Sequence, residues 1–200
     1  MKILKKGTLE VICGSMFSGK TEELIRRMRR AQIAQLKTQV FKHSLDHDRT
    51  ATESLRSHAG DKLAAIAIDT SANLKEMILD DTQVIGIDEV QFFSPELCIV
   101  IQELLDAGKK VIVSGLDLDF RGVPFGCIPP LLALADKVIK LKAVCIICGE
   151  DAQFTQRVVD GKPAKFSDPI IMVGAEERYQ ARCRSCYQID KKPQEIELES

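Results

Sequence analysis

The sequence carries no surplus of positive charge, no long apolar run, no internal repeat and no low-complexity tract. A formal net charge of −1 argues against a general nucleic-acid coat or a membrane-surface protein, since both need a basic excess. No apolar stretch approaches the roughly 20 residues that span a bilayer. Lys2, Lys5 and Lys6 resemble the basic start of a secretory leader. Glu10 interrupts the next apolar stretch, however, and a glycine-rich loop arrives by Gly14, so no apolar leader core exists. The expectation is a cytoplasmic protein. His43, His47 and His58 show no metal-ligand spacing and are expected in exposed loops.

What is present is ordinary globular material: 200 residues, 45% apolar and 28% charged. That length suits one domain, or a domain with a small appendage, and can bury a sizeable core. Seven cysteines stand out. In a reducing compartment paired cysteines point to metal ligation rather than disulfides.

Along the chain, residues 8–13 read as a short β-prone run ending at Gly14. Residues 20–36 come next, with Leu24, Ile25, Met28 and Ala31 at helical spacing and no proline. Residues 38–41 read as the next strand, 46–61 as a long exposed polar loop, and 63–68 and 84–88 as buried strands. Ser94-Pro95 supplies an N-cap and first-turn proline for a helix that Gly108 closes. A strand at 111–114 and a short helix opened by Pro129-Pro130 complete the pattern. Apolar strands alternating with helices predict an α/β fold, a parallel sheet with helices on both faces, and the G-x-x-x-x-G-K-[ST] run at residues 14–21 between the first strand and helix makes it a P-loop NTPase-type sheet. From about Cys145 the pattern changes to short strands and loops around paired cysteines. The expected division is therefore a nucleotide-binding α/β domain over 1–142, a small zinc-binding domain over 143–190, and a polar, disordered tail over 191–200.

Three clusters carry chemistry. Gly14-Ser15-Met16-Phe17-Ser18-Gly19-Lys20-Thr21 matches G-x-x-x-x-G-K-[ST]. Its glycines let the backbone curl so that N–H groups face phosphate oxygens, Lys20 adds a charge on the β- and γ-phosphates, and Thr21 offers a hydroxyl to Mg²⁺. The adjoining helix presents its positive end to the same anion. Val84-Ile85-Gly86-Ile87-Asp88-Glu89 is a strand ending in two acids. In P-loop proteins an aspartate here supports the magnesium, and Glu89 stands where a base could take a proton from an attacking hydroxyl. A solvated acidic turn after an edge strand is the plainer alternative. Cys145-x-x-Cys148 and Cys183-x-x-Cys186 form two dithiol knuckles of the kind that wrap one Zn²⁺ in a closed tetrahedral site. The 149–182 stretch exceeds usual zinc-ribbon spacing, so a loop must be extruded between them.

Weaker signals surround these. Cys13, Cys98 and Cys127 read as small buried apolar residues. The Arg26, Arg27, Arg29 and Arg30 group reads as a solvated helix face or subunit contact rather than a catalytic group. Phe92, Phe93, Phe120 and Phe125 all come after predicted strand ends, the edge where α/β sheets bind ligands, so each reads equally as core or as a stacking surface for a flat base.

The P-loop GSMFSGKT, the strand-end box IDEVQFF, the stretch GLDLDFRGVPFG, and AVCIICG with FTQR and RYQARCRSCY together resemble the type II thymidine kinases, the small zinc-containing class. The resemblance runs from about Thr8 to Tyr187. It implies ATP-dependent phosphorylation of the thymidine 5′-hydroxyl, a salvage step for DNA synthesis, with Glu89 as catalytic base. It implies ATP and Mg²⁺ at Gly14, Ser15, Met16, Phe17, Ser18, Gly19, Lys20, Thr21, Asp88, Glu89, Val90 and Gln91, with Thr21 and Asp88 on the magnesium. It assigns the structural zinc to Cys145, Cys148, Cys183 and Cys186. The thymine-wrapping lasso loop corresponds to residues 169–179, including Met172, Val173, Gly174 and Tyr179. Met16, Phe92, Leu116, Phe120 and Thr155 complete the implied nucleoside pocket. The resemblance also implies a homotetramer that engages neither nucleic acid nor membrane.

The sequence departs from the family pattern at three places. Val90 replaces a smaller residue and is expected to tighten the pocket. Gly174-Ala175 replaces a Gly-Gly pair, which strains Ala175 if that position needs positive φ. Asp46-His47-Asp48-Arg49 stands where the pattern is Asp-x-Arg, leaving either aspartate as the match. Two rival readings are a nucleic-acid-dependent ATPase, which would need a second motor domain and a basic channel, and a non-catalytic ATP-binding regulator, which nucleosides would not stimulate.

Overall fold

The computed structural model describes residues 6–45, 54–56, 60, 62–170 and 178–190. Its first part contains β1 (Thr8–Gly14), α1 (Lys20–Ile33), β2 (Thr38–His43), β3 (Ser54–Arg56), β4 (Lys62–Ala64), β5 (Ile66–Ile68), α2 (Ser71–Met77), β6 (Val84–Asp88), α3 (Leu97–Asp106), β7 (Lys110–Gly115), α4 (Ile128–Leu134) and β8 (Lys137–Leu141). Six strands form one sheet in the order β5-β2-β6-β7-β1-β8, and every pairing is parallel. Parallel strands demand crossovers, and here helices supply most of them.

Alternation along the strands sorts the core into two layers. Leu9, Val11 and Cys13 of β1, with Ile85, Ile87, Val111 and Val113, pack against Leu97, Ile101, Ile128 and Leu131 of α3 and α4. The opposite face presents Ile12, Val40, Val84 and Ile112 to Leu24, Ile25 and Met28 of α1. Gly86 is what lets α1 lie so close, since a Cβ there would meet Met28 Sδ at 2.9 Å. Both faces are thus covered, and the strand C-termini share one open edge. Among the described residues no helix is long and apolar enough to cross a membrane.

Several local expectations are corrected. The predicted helix at 20–36 stops at Ile33. Gln35 takes a left-handed conformation (φ 59°), and Leu36 N–H bonds to Ala31 O, closing the helix in a Schellman turn without glycine. Residues 63–68 are two strands, not one. Ala65 separates β4, which pairs antiparallel with β3, from β5, which joins the main sheet. The 46–61 segment therefore contains a strand, and Leu55 of that strand is buried against the α1 layer. Ser94 does not cap α3. The N–H groups of Leu97 and Cys98 bond to Ser94 O and Pro95 O, so these residues form a tight turn before the helix begins at Leu97. Gly108 (φ 79°) does close α3.

Beyond β8 the chain makes a two-stranded piece, β9 (Ala143–Val144) with β10 (Asp151–Ala152), and a three-stranded antiparallel sheet. The latter has β11 (Phe154–Val159) between β12 (Lys162–Pro163) and β13 (Arg178–Arg182). The polar tail at 191–200 lies outside the described residues.

Candidate active site

The loop between β1 and α1 is shaped by unusual backbone angles. Gly14 has φ 145°, and a Cβ there would meet Ser18 Oγ at 2.9 Å. Phe17 (φ 66°) and Gly19 (φ 83°) are left-handed. These angles curl the chain so that α1 begins at Lys20 with its N–H groups aimed at the open sheet edge. Lys20 is buried, and its ammonium donates to Ser15 O at 2.8 Å. Burial holds its pKa below the usual lysine range, while Glu89, Asp88 and Asp117 pull the other way.

Two strands away, β6 ends in Asp88. Its carboxylate accepts from Thr21 Oγ1 at 2.9 Å, from Ser114 Oγ, and from Glu89 N at 3.0 Å. Burial raises the Asp88 pKa, and those donors together with Lys20 oppose the rise. Hydroxyl and carboxylate oxygens held together are the hard donors that Mg²⁺ takes, so Thr21 and Asp88 fit the expected magnesium position.

Glu89 takes a left-handed conformation (φ 55°, ψ 40°). A glutamate bears a steric cost there, on the order of 1–3 kcal/mol. The sharp turn lifts its side chain off the strand direction. Gln91 then clamps it: the amide nitrogen donates to Glu89 Oε2 and the amide oxygen accepts Leu116 N–H at 3.0 Å. Glycines make room for this clamp. A Cβ at Gly115 would meet Gln91 Oε1 at 2.5 Å, and Gly126 (φ 53°) presses on the Gln91 carbonyl.

The cysteine-rich part forms the facing wall. Thr155 of β11 accepts Met16 N–H at 3.0 Å, and Ser15 Oγ donates to Ala152 O at 3.3 Å. Phe120 is buried beneath Arg157, whose guanidinium lies 4.9 Å from the ring centroid. Phe92 and Phe125 are half-buried and meet edge to face at 5.7 Å.

The four knuckle cysteines converge, with all four sulfurs within 4.8 Å of one another. Cys148 Sγ is 3.5 Å from Cys183 Sγ and 3.6 Å from Cys186 Sγ. Thiolates about 2.3 Å from one Zn²⁺ in a tetrahedron sit about 3.8 Å apart, so the set fits zinc. At Cys145 burial pushes the pKa up, but the backbone N–H groups of Cys183, Ile147 and Cys148 outweigh it and draw the thiol down to about 6. Cys186 is pushed up to about 12, chiefly through its hydrogen bonds with Cys183 and Cys148. A thiophilic dication is what allows such a set to ionise together.

A phosphate loop, an acid pair and a four-cysteine cluster thus occur in one chain. The thymidine kinase family pattern matches residues 7–187. This chain belongs to the thymidine kinase family. Thymidine kinase activity, with thymidine and ATP as substrates, comes with that membership. Among solved structures, the genome packaging NTPase B204 from Sulfolobus turreted icosahedral virus 2, in complex with ATP-gammaS, is similar at 14% identity and a TM-score of 0.43. The match covers 68% of this chain and 75% of that one, and it is too distant to bear on substrate.

In this kinase Leu116 and Tyr179, two more of the expected pocket residues, are partly buried. Met172, Val173, Gly174 and Ala175 lie outside the described residues, as do Asp46, His47, Asp48, Arg49 and His58. The Val90 side chain is buried in the α3–α4 layer beside Gly115. Phe93 is core, packed edge-on to His43 at 4.5 Å. His43 is therefore no exposed-loop histidine: it ends β2, is buried, and burial lowers its pKa. Cys13 and Cys127 are buried thiols pushed up to about 11 and about 12 by burial, and Cys98 is partly buried. Arg26, Arg29 and Arg30 are exposed, with Arg26 paired to Glu23, whereas Arg27 is largely buried and bridges Glu23 to Glu10 of β1. Sequence reasoning overlooked Ser114, whose hydroxyl reaches Asp88 from β7. The available signal was its place at the end of a strand neighbouring β6.

The apolar core around the thiolates consists of Ala143, Ala152 and Ala181 with the cysteines themselves. Alanines bury little surface, and a zinc held by the four cysteines would add stability, on the order of 10 kcal/mol in zinc-finger peptides. Cys183→Ser, or mild chelation, is therefore expected to raise the KM for thymidine far more than that for ATP. Elemental analysis should return one zinc per wild-type chain. Equal losses for both substrates would show that the metal supports the whole fold.

Proposed function

We propose that this kinase transfers the γ-phosphoryl group of ATP to the 5′-hydroxyl of thymidine, giving thymidine 5′-monophosphate and ADP, with Glu89 as general base. The observation that carries the reading is the meeting of three elements at one sheet edge. Lys20 and Thr21 come from α1, Asp88 from the end of β6 with Glu89 in the turn that follows, and Thr155 reaches the P-loop amide at Met16 from the cysteine-rich part. The amides of residues 14–21 and Lys20 cradle the triphosphate. Thr21 and Asp88 would hold Mg²⁺, which when bound supplies positive charge at the β- and γ-phosphate oxygens. Glu89, oriented by Gln91, accepts the proton of the 5′-hydroxyl as that oxygen forms its bond to γ-phosphorus and the bond to the bridging oxygen of ADP breaks. Little covalent chemistry is asked of the protein, so positioning and charge carry the rate.

The nucleoside would lie against Met16, Phe92, Leu116, Phe120 and Thr155, with Tyr179 and Met172, Val173 and Gly174 of the 169–179 loop closing the base site. Cys145, Cys148, Cys183 and Cys186 would hold a structural zinc that ties the two feet of that loop. On this reading the 1–142 part binds ATP and the 143–190 part selects the nucleoside. The protein would work in the cytoplasm as a homotetramer in deoxynucleoside salvage, with no nucleic-acid or membrane partner.

ATP consumption measured against a panel of nucleosides tests the proposal. Thymidine should stimulate turnover strongly and purine nucleosides should not. Turnover indifferent to every nucleoside but stimulated by DNA would replace this reading with that of a nucleic-acid-dependent ATPase.

A further inference from the structure

Among the described residues, Arg157 is the largest side chain to be fully buried. Burying a guanidinium is costly unless its N–H groups find acceptors and its charge a counterpart. Its contacts are specific. Nη1 donates to Pro169 O at 2.6 Å, and the guanidinium plane lies over the Phe120 ring with its carbon 4.9 Å from the centroid. The residue stands two places after Thr155 on β11, so both side chains leave the same face of that strand. Tyr179 is its direct cross-strand partner on β13 and shares that face. Phe120 is fixed from a second side as well, because Tyr187 Oη donates to its carbonyl at 2.6 Å.

One cation therefore touches the loop after β7, through Phe120, and the segment after β12, through Pro169, from a strand whose Thr155 is hydrogen-bonded to the P-loop. We propose that Arg157 is a positioning residue for the nucleoside, holding the Phe120 ring and the Pro169 carbonyl at the spacing the thymidine ring requires. The inference rests on the assignment of this face to thymidine. Arg157 acts through Phe120 and Pro169, so its effect should fall on one substrate. A hydrogen bond from a charged donor is among the stronger ones in proteins. Its loss at a preorganised pocket should appear in thymidine affinity rather than in the chemical step.

The test compares wild type with Arg157→Met, which keeps bulk over Phe120 but cannot donate to Pro169 O, and Arg157→Ala, assayed with and without added guanidinium. In Arg157→Met the KM for thymidine should rise about 10- to 100-fold, the size of one lost charge-assisted hydrogen bond. The KM for ATP and kcat should stay within about threefold, since uniform binding alone is removed. Guanidinium should restore part of the thymidine affinity of Arg157→Ala, and methylammonium at equal ionic strength should not, because planar stacking and forked donation are specific to the guanidinium group. Parallel rises in both KM values with no guanidinium rescue would make Arg157 a packing residue and overturn the proposal. An unchanged thymidine KM in Arg157→Met, with active wild type, would overturn it too while leaving the function intact. A wild type that shows no thymidine-dependent turnover would remove the reading beneath it.

Discussion

Glu89→Gln is expected to lower kcat by about 10²–10⁴, the range over which a positioned general base contributes, with ATP affinity and thermal stability nearly unchanged. The fold has little reason to notice the change. Glutamine has the same shape, tolerates the left-handed backbone at φ 55° as poorly or as well as glutamate does, and offers a carbonyl oxygen to the Gln91 amide that now donates to Glu89. What is lost is the capacity to take a proton. Steady-state kinetics with both substrates, beside a melting curve, separates the two effects. A variant with near-normal kcat would remove Glu89 from the base role. A large drop in melting temperature would mean that its turn, rather than its basicity, is what matters.

Lys20→Ala should cost still more, at least about 10³ in kcat/KM, with much of the loss in triphosphate binding. Removing a single preorganised donor to a developing charge already costs about 10²–10³, and Lys20 bears the only positive charge in the 14–21 loop. The effect is compounded at Asp88. Burial pushes that carboxyl up and Lys20 is among the groups that oppose the rise, so its removal favours the protonated acid, which is a poor ligand for a cation. Titration of ATP binding, with and without Mg²⁺, measures both parts. Unchanged affinity together with unchanged turnover would contradict the role given to this lysine.

How far the sequence could be read depended on whether a feature is local. The phosphate loop, the acid pair at the end of β6 and the two dithiol knuckles are each determined within about eight residues, and each was legible from composition and spacing. The parallel sheet was legible for a related reason: strands buried on both faces have to be apolar throughout. What could not be read depends on distant partners. Ala65 divides a continuous-looking apolar run because its first half turns away to pair with residues 54–56. His43 looked like a loop residue, yet the loop after β6 brings Phe92 and Phe93 over it. The Ser94-Pro95 pair carries the composition of a cap, but its carbonyls, not the serine side chain, accept the first N–H groups. Arg157 gave no signal at all, since an arginine on a short polar strand reads as exposed until Phe120 and Pro169 close over it. The clamp on Glu89 lay in between. Gln91 was visible, but its second bond to Leu116 N–H needs the end of β7 alongside, and the glycines at 115 and 126 acquire meaning only with that geometry.

The most direct measurement is ³¹P NMR of the purified protein with ATP, Mg²⁺ and thymidine. A thymidine 5′-monophosphate resonance should grow in step with ADP, with little inorganic phosphate, because in the proposed mechanism the γ-phosphoryl group passes to the nucleoside hydroxyl rather than to water. ADP appearing with inorganic phosphate and no nucleoside monophosphate would contradict it.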